Sequence, residues 1–377
     1  MQNYELTLKA PVSTSFHAQK ARGSVDLSDE TKTWHKLKIN NCDFDTPWNI
    51  GVIVGASGSG KTTLARHIYG DFDLYAPDAT KAVIDQFPDA WDYDKRSSQL
   101  NAIGLSQVPC WIKPVGMLSN GQQERAKVAL ALANEKAHVF DEWTSVVDRN
   151  VAAAMSHTVQ KFARRNNKQI ILITCHYDVL DWLDPDWVID CNEQKYTNRR
   201  ELVGTERKKK MCFTIKPVAA NTWHRFSKYH YLSDNLPGGL IYTFGIFLDD
   251  QQIGFQCFAE YVPWGDKKKR RVLHFNRTVI HPDYVGFGLG MQLIDLTSEM
   301  MAKKNYKIMG KFSSIPVFKA MSKNPKWKLV ASDYQTPTFS SKAIGSLSKS
   351  FADTKRNAVK WWSFEFCPER NVQCPPQ

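Results

Sequence analysis

The 377-residue chain contains no Cys-x-x-Cys pair. Its eight cysteines are scattered at 42, 110, 175, 191, 212, 257, 367 and 374, several of them inside apolar runs such as ILITCHY. That spacing argues against a zinc site and against a disulfide framework, and Cys367 and Cys374, which bracket a tail, are two thiols alone. The opening MQNYELTLKA has no secretory apolar core. No apolar stretch reaches the roughly 20 residues a helix needs to span a bilayer. Internal repeats and long low-complexity tracts are missing too. A cytoplasmic, reduced chain with no membrane partner is expected. Carboxylates are in deficit, with 38 Asp and Glu against 50 Lys and Arg, a formal net charge of +12. That balance favours a polyanionic partner such as nucleic acid, and a generally basic surface explains it equally well until a patch is located.

The length suits two domains, and a hydrophobic fraction of 42% supplies a core for each. Strand-like pieces at 4–9 and 34–39 precede a short buried strand, WNIGVIVG (48–55), and a helix over 61–69. KAVIDQF (81–87), AHVFDE (137–142) and QIILITCH (169–176) read as further strands. Strands alternating with helices predict an α/β domain with a largely parallel sheet. The charge-rich break at 193–216 places a boundary near 205. Beyond it, 240–248, 252–259 and 271–280 read as consecutive antiparallel strands, followed by a helix at 288–304 and a strand at 306–312, an α+β domain. The expected division is 1–205, a basic linker 206–215, a second domain 216–370 and a tail 371–377.

GASGSGKTT (55–63) fits G-x-x-x-x-G-K-[ST] between a strand and a helix, the context a phosphate-binding P-loop requires. Gly55, Ser57, Gly58, Ser59 and Gly60 let the backbone wrap phosphates. The N–H groups of Gly58, Gly60, Lys61 and Thr62 line the cradle, followed by Thr63. Lys61 reaches the terminal phosphates and the Thr62 hydroxyl holds Mg²⁺. VFDE (139–142) ends a buried strand with two carboxylates: Asp141 to position the metal and Glu142 to polarise an attacking water. His176, at another strand end, is placed to approach the γ-phosphate. MLSNGQQERAKVALALA (117–133) opens a helix on Ser119-Asn120-Gly121-Gln122, which serves either as an ordinary cap or as an anion site.

The order GASGSGKTT, LSNGQ, VFDEWTSVVD, ITCH resembles an ABC-type ATPase over about residues 1–205. The resemblance implies ATP and Mg²⁺ as ligands, and it implies a homodimer closing on ATP. Ser119, Gly121 and Gln122 would then meet the γ-phosphate held by a second copy. Asp148 matches the D-loop position and His176 the switch histidine. Gln86 fits the Q-loop role and a place beside the metal; Gln107 competes for it but lies close to the signature. Trp34, 27 residues before Lys61, is a candidate for stacking on adenine, with Phe16 and Trp48 as rivals. Three departures stand out. Only 58 positions separate Lys61 from Ser119, a reduced helical subdomain that points away from transporters. Asn120 replaces the signature's first glycine, and Trp143 replaces the usual proline after the catalytic carboxylate.

HFNRTVIHPDYVGFGLGMQLIDL (274–296) alternates Gly286, Gly288 and Gly290 before an amphipathic helix, baring amides suited to a pyrophosphate. V-x-H-P-x-Y-x-G-x-G-x-G resembles motif A of GNAT-type N-acyltransferases over about 216–335. The resemblance implies an acyl-CoA donor, acetyl-CoA first, with the amides of Val285 to Gly290 on its pyrophosphate. Val285 stands where that family has Arg or Gln. Phe318 lies near the position of its acidic Tyr. Glu260 and His274 are candidate bases and equally ordinary strand residues. FSKYHYLS (226–233) would line a substrate pocket or form a packed edge. ERKKK (206–210) and DKKKRR (266–271) would neutralise phosphates or sit in solvent. Trp327, Trp361 and Trp362 would stack bases or fill a core.

The leading expectation is an ATP-driven N-acyltransferase acting on or near nucleic acid. The alternatives are a nucleic-acid-binding ATPase with an inert second domain, and an ATP-regulated acetyltransferase for proteins or small amines.

Overall fold

A computed structural model describes residues 1–9, 13–24, 34–72, 75–134, 138–202, 211–230, 235–261, 271–335 and 359–368. The run 206–210, all but Arg271 of 266–271, the end of FSKYHYLS, the side chain of Trp34 and the tail 371–377 lie outside the described residues. The chain divides into two compact units, Met1–Lys210 and Met211–Gln377.

In the first unit, β1 (Gln2–Lys9) and β2 (Trp34–Cys42) form an antiparallel pair. The main sheet holds β3 (Ile50–Val54), β4 (Val139–Phe140), β5 (Ile170–Thr174), β6 (Trp187–Asp190) and β7 (Lys195–Asn198) in the order β4-β5-β3-β6-β7. The first four run parallel and β7 lies antiparallel to β6. Every residue of β3 and β5 is buried. Both faces are therefore covered, which is why these strands read as unbroken apolar runs. One face packs on helices Tyr93–Ala102, Asn120–Ala133 and Arg149–Arg165, the other on β2 and helix Lys61–Tyr69.

The expected strand at 81–87 is a correction. Val83–Gln86 forms a 3₁₀ turn, joined to its surroundings by a single bridge between Ala82 and Pro114. Val83 and Phe87 are the buried pair. Their spacing of four puts both on one side of a helical turn, where a strand would also have needed its odd position 85 inside.

Asp186 fastens β6 to β3. Its Oδ2 accepts from the N–H groups of Asn49 (2.8 Å) and Ile50 (2.9 Å), and its Oδ1 from Arg164 (3.1 Å) and Arg199 (2.8 Å). Burial alone would raise this carboxyl's pKa, but the two amide donors and Arg164 outweigh it, and the net shift is downward. A lowered folded pKa stabilises above the unfolded value, near 3.9, and the contribution is lost as pH falls through the folded one. Asp186→Asn should therefore lower stability at neutral pH and flatten its decline below about pH 4, measured as Tm against pH.

In the second unit, β8 (Phe213–Pro217), β9 (Ile241–Leu248), β10 (Gln251–Tyr261), β11 (Val272–Ile280), β12 (Lys307–Phe312), β13 (Trp327–Gln335) and β14 (Val359–Phe366) form one sheet, ordered β13-β14-β12-β11-β10-β9-β8. All neighbours are antiparallel except β11 and β12. A parallel pair needs a crossover, and helix Leu289–Ala302 supplies it. The β11–β12 pairing covers only Val272–His274 against Lys307–Met309, so the two strands part beyond that point. Among the described residues no helix is long and apolar enough to cross a membrane.

Candidate functional site

The turn from β3 into helix Lys61–Tyr69 is a glycine cradle. Gly58 and Gly60 adopt φ of 80° and 91°, left-handed values that a side chain resists. A Cβ on Gly60 would lie 2.3 Å from Leu8 Cδ1, and one on Gly55 2.7 Å from Ser59 Oγ. Ser59 Oγ is buried with no hydrogen-bond partner among the described residues. An orphan hydroxyl costs free energy unless something meets it, and a phosphate oxygen would. Ser57 and Gly58 are exposed, as is Thr63 at the start of the helix. Lys61 Nζ folds back onto the carbonyls of Gly55 (2.9 Å) and Ala56 (2.7 Å).

Thr62 Oγ1 donates to Asp141 Oδ2 at 2.8 Å, and Asp141 Oδ1 accepts from the Glu142 N–H at 2.9 Å. Two hard oxygen donors beside a phosphate cradle fit Mg²⁺. Glu142 is exposed, adopts φ of 55°, and accepts from Ser145 Oγ at 2.7 Å. Trp143 is buried at 2% exposure, and its indole donates to Ser156 Oγ at 3.0 Å. It is a core anchor next to Glu142 at the end of the strand. His176 lies two residues past Thr174, which pairs with Val54 at the mouth of the cradle. Its backbone N–H donates to Thr174 Oγ1 at 3.1 Å, and its ring makes no hydrogen bond among the described residues.

Ser119 is the N-cap of helix Asn120–Ala133, closed by a capping box in which Gln122 Oε1 accepts from the Ser119 N–H at 3.1 Å. Ser119 and Asn120 are exposed. A Cβ on Gly121 would lie 2.9 Å from Val151 Cγ1, so a glycine there lets this helix mouth sit against helix Arg149–Arg165. Asp148 caps that second helix, accepting from the N–H groups of Asn150 (2.9 Å) and Val151 (3.0 Å).

Gln86 makes no hydrogen bond to Thr62 or Asp141 among the described residues. Its amide is spent on its own loop, accepting from the Asp78 N–H at 2.8 Å and donating to Asp78 O (2.9 Å) and Lys81 O (3.0 Å). Conversely, the sequence reading overlooked Asn192, whose Oδ1 accepts from the Ala56 N–H at 3.1 Å and ties the cradle to the end of β6. A lone Asn after a strand carries no motif that would flag it.

In the second unit β11 ends at Ile280, and Pro282–Tyr284 makes a 3₁₀ turn. Gly286 (φ 119°) and Gly288 (φ 76°) then lead into helix Leu289–Ala302. Gly288 is its N-cap, so the first amides from Leu289 and Gly290 point outward without intrahelical acceptors. The Val285 N–H is used within the turn, donating to Pro282 O. A Cβ on Gly288 would meet nothing within 4 Å, so open space faces the loop.

Phe318 stacks on Trp362 at 4.5 Å within the core cluster. Trp327 and Trp362 are buried there, and Lys311 lies over the Trp361 ring. Glu260 is held by Arg271 and accepts from Tyr242 OH at 3.3 Å; that hydroxyl pairs with Tyr306 OH at 2.7 Å. The Tyr306 contact, ahead of burial, pushes the Tyr242 pKa up to about 12. Burial lowers the pKa of His274. Within FSKYHYLS, Phe226 is buried against Phe255, and Tyr229 OH meets His281 Nε2 at 3.0 Å.

No family model matches the chain. The ATP-binding protein EcfA1 of an energy-coupling factor transporter, from Leuconostoc mesenteroides, is 28% identical over 192 residues, 41% of this chain and 70% of that protein. The match falls on the N-terminal part, which resembles ABC ATPases. Among solved structures, the dimeric ATP-binding cassette MJ0796 bound to ADP and Pi superposes with a TM-score of 0.34 at 16% identity, covering 44% of this chain and 93% of that one. NAA60 of Arabidopsis thaliana in complex with acetyl-CoA gives 0.30 at 11% identity, over 41% and 98%.

Proposed function

We propose that the first unit binds and hydrolyses ATP and that the second transfers an acyl group from CoA, acetyl-CoA first, to a nitrogen. The observation that carries the first half is the Thr62–Asp141 contact at 2.8 Å beside a glycine cradle with an orphan hydroxyl. Amides of the loop and Lys61 bind the phosphates. Thr62 Oγ1 and Asp141 would hold Mg²⁺, which neutralises phosphate charge when bound. Glu142 orients and polarises the attacking water, and His176 contacts the γ-phosphate. Ser119, Gly121, Gln122 and Asp148 of one copy face the triphosphate of another, giving a homodimer that closes on ATP. The exposed mouth of helix Asn120–Ala133, capped by a neutral serine, supports that role, since such mouths favour anions.

The acyl-transfer half is supported by the loop Gly286–Gly290 at the mouth of a helix and by the fork between β11 and β12. Gly288→Val should abolish acetyl-CoA binding in calorimetry. A β-branched residue resists the left-handed φ of 76° and fills the open space before the helix amides. ATP binding should be unchanged. Nucleic acid as substrate or platform is supported by the net charge of +12. Retention on single- or double-stranded DNA that fails to weaken as salt rises would remove that partner.

The structure also gives an observation in favour of a non-catalytic second unit: Phe318, near the expected acid, is spent on core stacking. Acetylated product from ATP, acetyl-CoA and amine, sought by mass spectrometry, decides between the two. CoA binding without any product supports the docking role.

A further inference from the structure

On the face of the second sheet covered by the turns around Trp223 and Phe226, one guanidinium stands at the fork. Cys257 pairs with Arg277 and Phe258 with Phe275, leaving Asn276 as the extra residue of a β-bulge. The last β11–β12 pair, His274 with Met309, lies just before it. The bulge therefore begins where the two strands part.

Arg277 donates from Nη1 to Asn276 O and from Nη2 to Asn235 O, each at 3.1 Å. Its Nε and the neighbouring Asn276 Oδ1 are buried without hydrogen-bond partners among the described residues. Buried polar atoms are normally satisfied, so an orphan donor beside an orphan acceptor marks a place for a ligand. No carboxylate pairs with Arg277 among the described residues. The described titratable groups that feel its charge, His230 and Cys257, bring no negative charge. Burial, with Arg277 adding to it, pushes the His230 pKa down to about 4, and burial pushes that of Cys257 up to about 12. His274, earlier on the same strand, is likewise held toward its neutral form by burial.

We infer that the acceptor is a weakly basic amine, an aryl- or heteroarylamine uncharged at neutral pH, and that Arg277 with Asn276 selects it against alkylammonium groups. This rests on the acyl-transfer reading. An alkylamine with a Lys-like pKa of about 10.4 arrives as a cation, and the fork offers it a like charge with no carboxylate paired to it among the described residues. A neutral arylamine meets no such repulsion. Asn276 Oδ1 accepts one of its N–H groups while the nitrogen lone pair faces the thioester. The nitrogen–carbon bond forms, the carbon–sulfur bond breaks, and the proton lost by nitrogen ends on the sulfur of CoA.

The test uses the full chain with saturating acetyl-CoA and two probes, 4-methoxyaniline and spermidine, with acetylated products counted by mass spectrometry. The wild type should favour the arylamine about tenfold or more, as like-charge exclusion requires. Arg277→Gln should collapse that ratio, whereas Arg277→Lys, which keeps the charge, should preserve it. A purely structural arginine would change stability in both variants and leave the ratio alone. Preference for spermidine, an unchanged ratio in Arg277→Gln, or acetylation of neither probe by protein that binds acetyl-CoA would each overturn the inference. Failure to bind acetyl-CoA in a parallel titration would instead strike the acyl-transfer reading beneath it.

Discussion

Glu142→Gln should lower ATP turnover by about 10²–10⁴-fold, the range that a positioned general base contributes. ATP affinity should be retained. The substitution keeps the side chain's size, and Asp141 Oδ1 binds the backbone N–H of residue 142, not its side chain. The Thr62–Asp141 contact and the cradle are therefore left alone. With hydrolysis blocked, the ATP-bound pair should accumulate and sediment as a dimer. Phosphate release and sedimentation with saturating ATP check both outcomes. A variant that hydrolyses at more than about a tenth of the wild-type rate would remove Glu142 from the role, and one that stays monomeric would remove Ser119 and Gly121 from theirs.

Trp187→Ala should cost the first unit about 3–5 kcal/mol, the usual loss for a buried Trp or Phe cut to Ala. Trp187 is 1% exposed. Its ring meets Phe44 at 5.1 Å and Trp48 at 5.4 Å edge-on, and stacks on Tyr196 at 6.5 Å. It also lies against Gly51 in β3, where a Cβ would stand 1.9 Å from the ring. Glycine at 51 is thus a steric requirement of the indole on the neighbouring strand. Gly51→Ala should destabilise by about 1–3 kcal/mol through overpacking. In the double variant the clash disappears with the ring, so the combined cost should fall below the sum of the two single costs. Denaturant unfolding of the four forms measures this, and strict additivity would contradict the packing described.

Residues whose role is carried by backbone chemistry were legible in the sequence. The cradle was visible because Gly58 and Gly60 need left-handed φ at fixed spacing from Lys61 and Thr62. The strands around it were visible because burial on both faces writes an unbroken apolar run. The second sheet's first hairpins and the helix after Gly288 were visible for the same kind of reason, periodicity with glycine at the breaks. KAVIDQF misled because Val83 and Phe87 are apolar in either period, and only the packing chooses the turn. β6 and β7 went unread because each has only four residues, β8 because it is a five-residue edge strand, and β13 and β14 because they pair with one another across more than twenty residues of chain. Of the two roles open to the tryptophans, stacking bases or filling a core, Trp327 and Trp362 take the core; strand alternation sends Trp361 to the opposite face, beneath Lys311. Asn192 and Arg277 were not legible at all. Their roles arise from neighbours 136 residues away in one case and from a bulge in the other.

One chain is proposed to carry two independent ligand sites. Calorimetric titration of the full-length protein with ATP and with acetyl-CoA tests this directly. Saturation by both ligands is predicted, with Lys61→Ala losing only the ATP heat and Gly288→Val only the acetyl-CoA heat. The absence of either heat in the wild type, or the loss of both in one variant that remains folded, would contradict it.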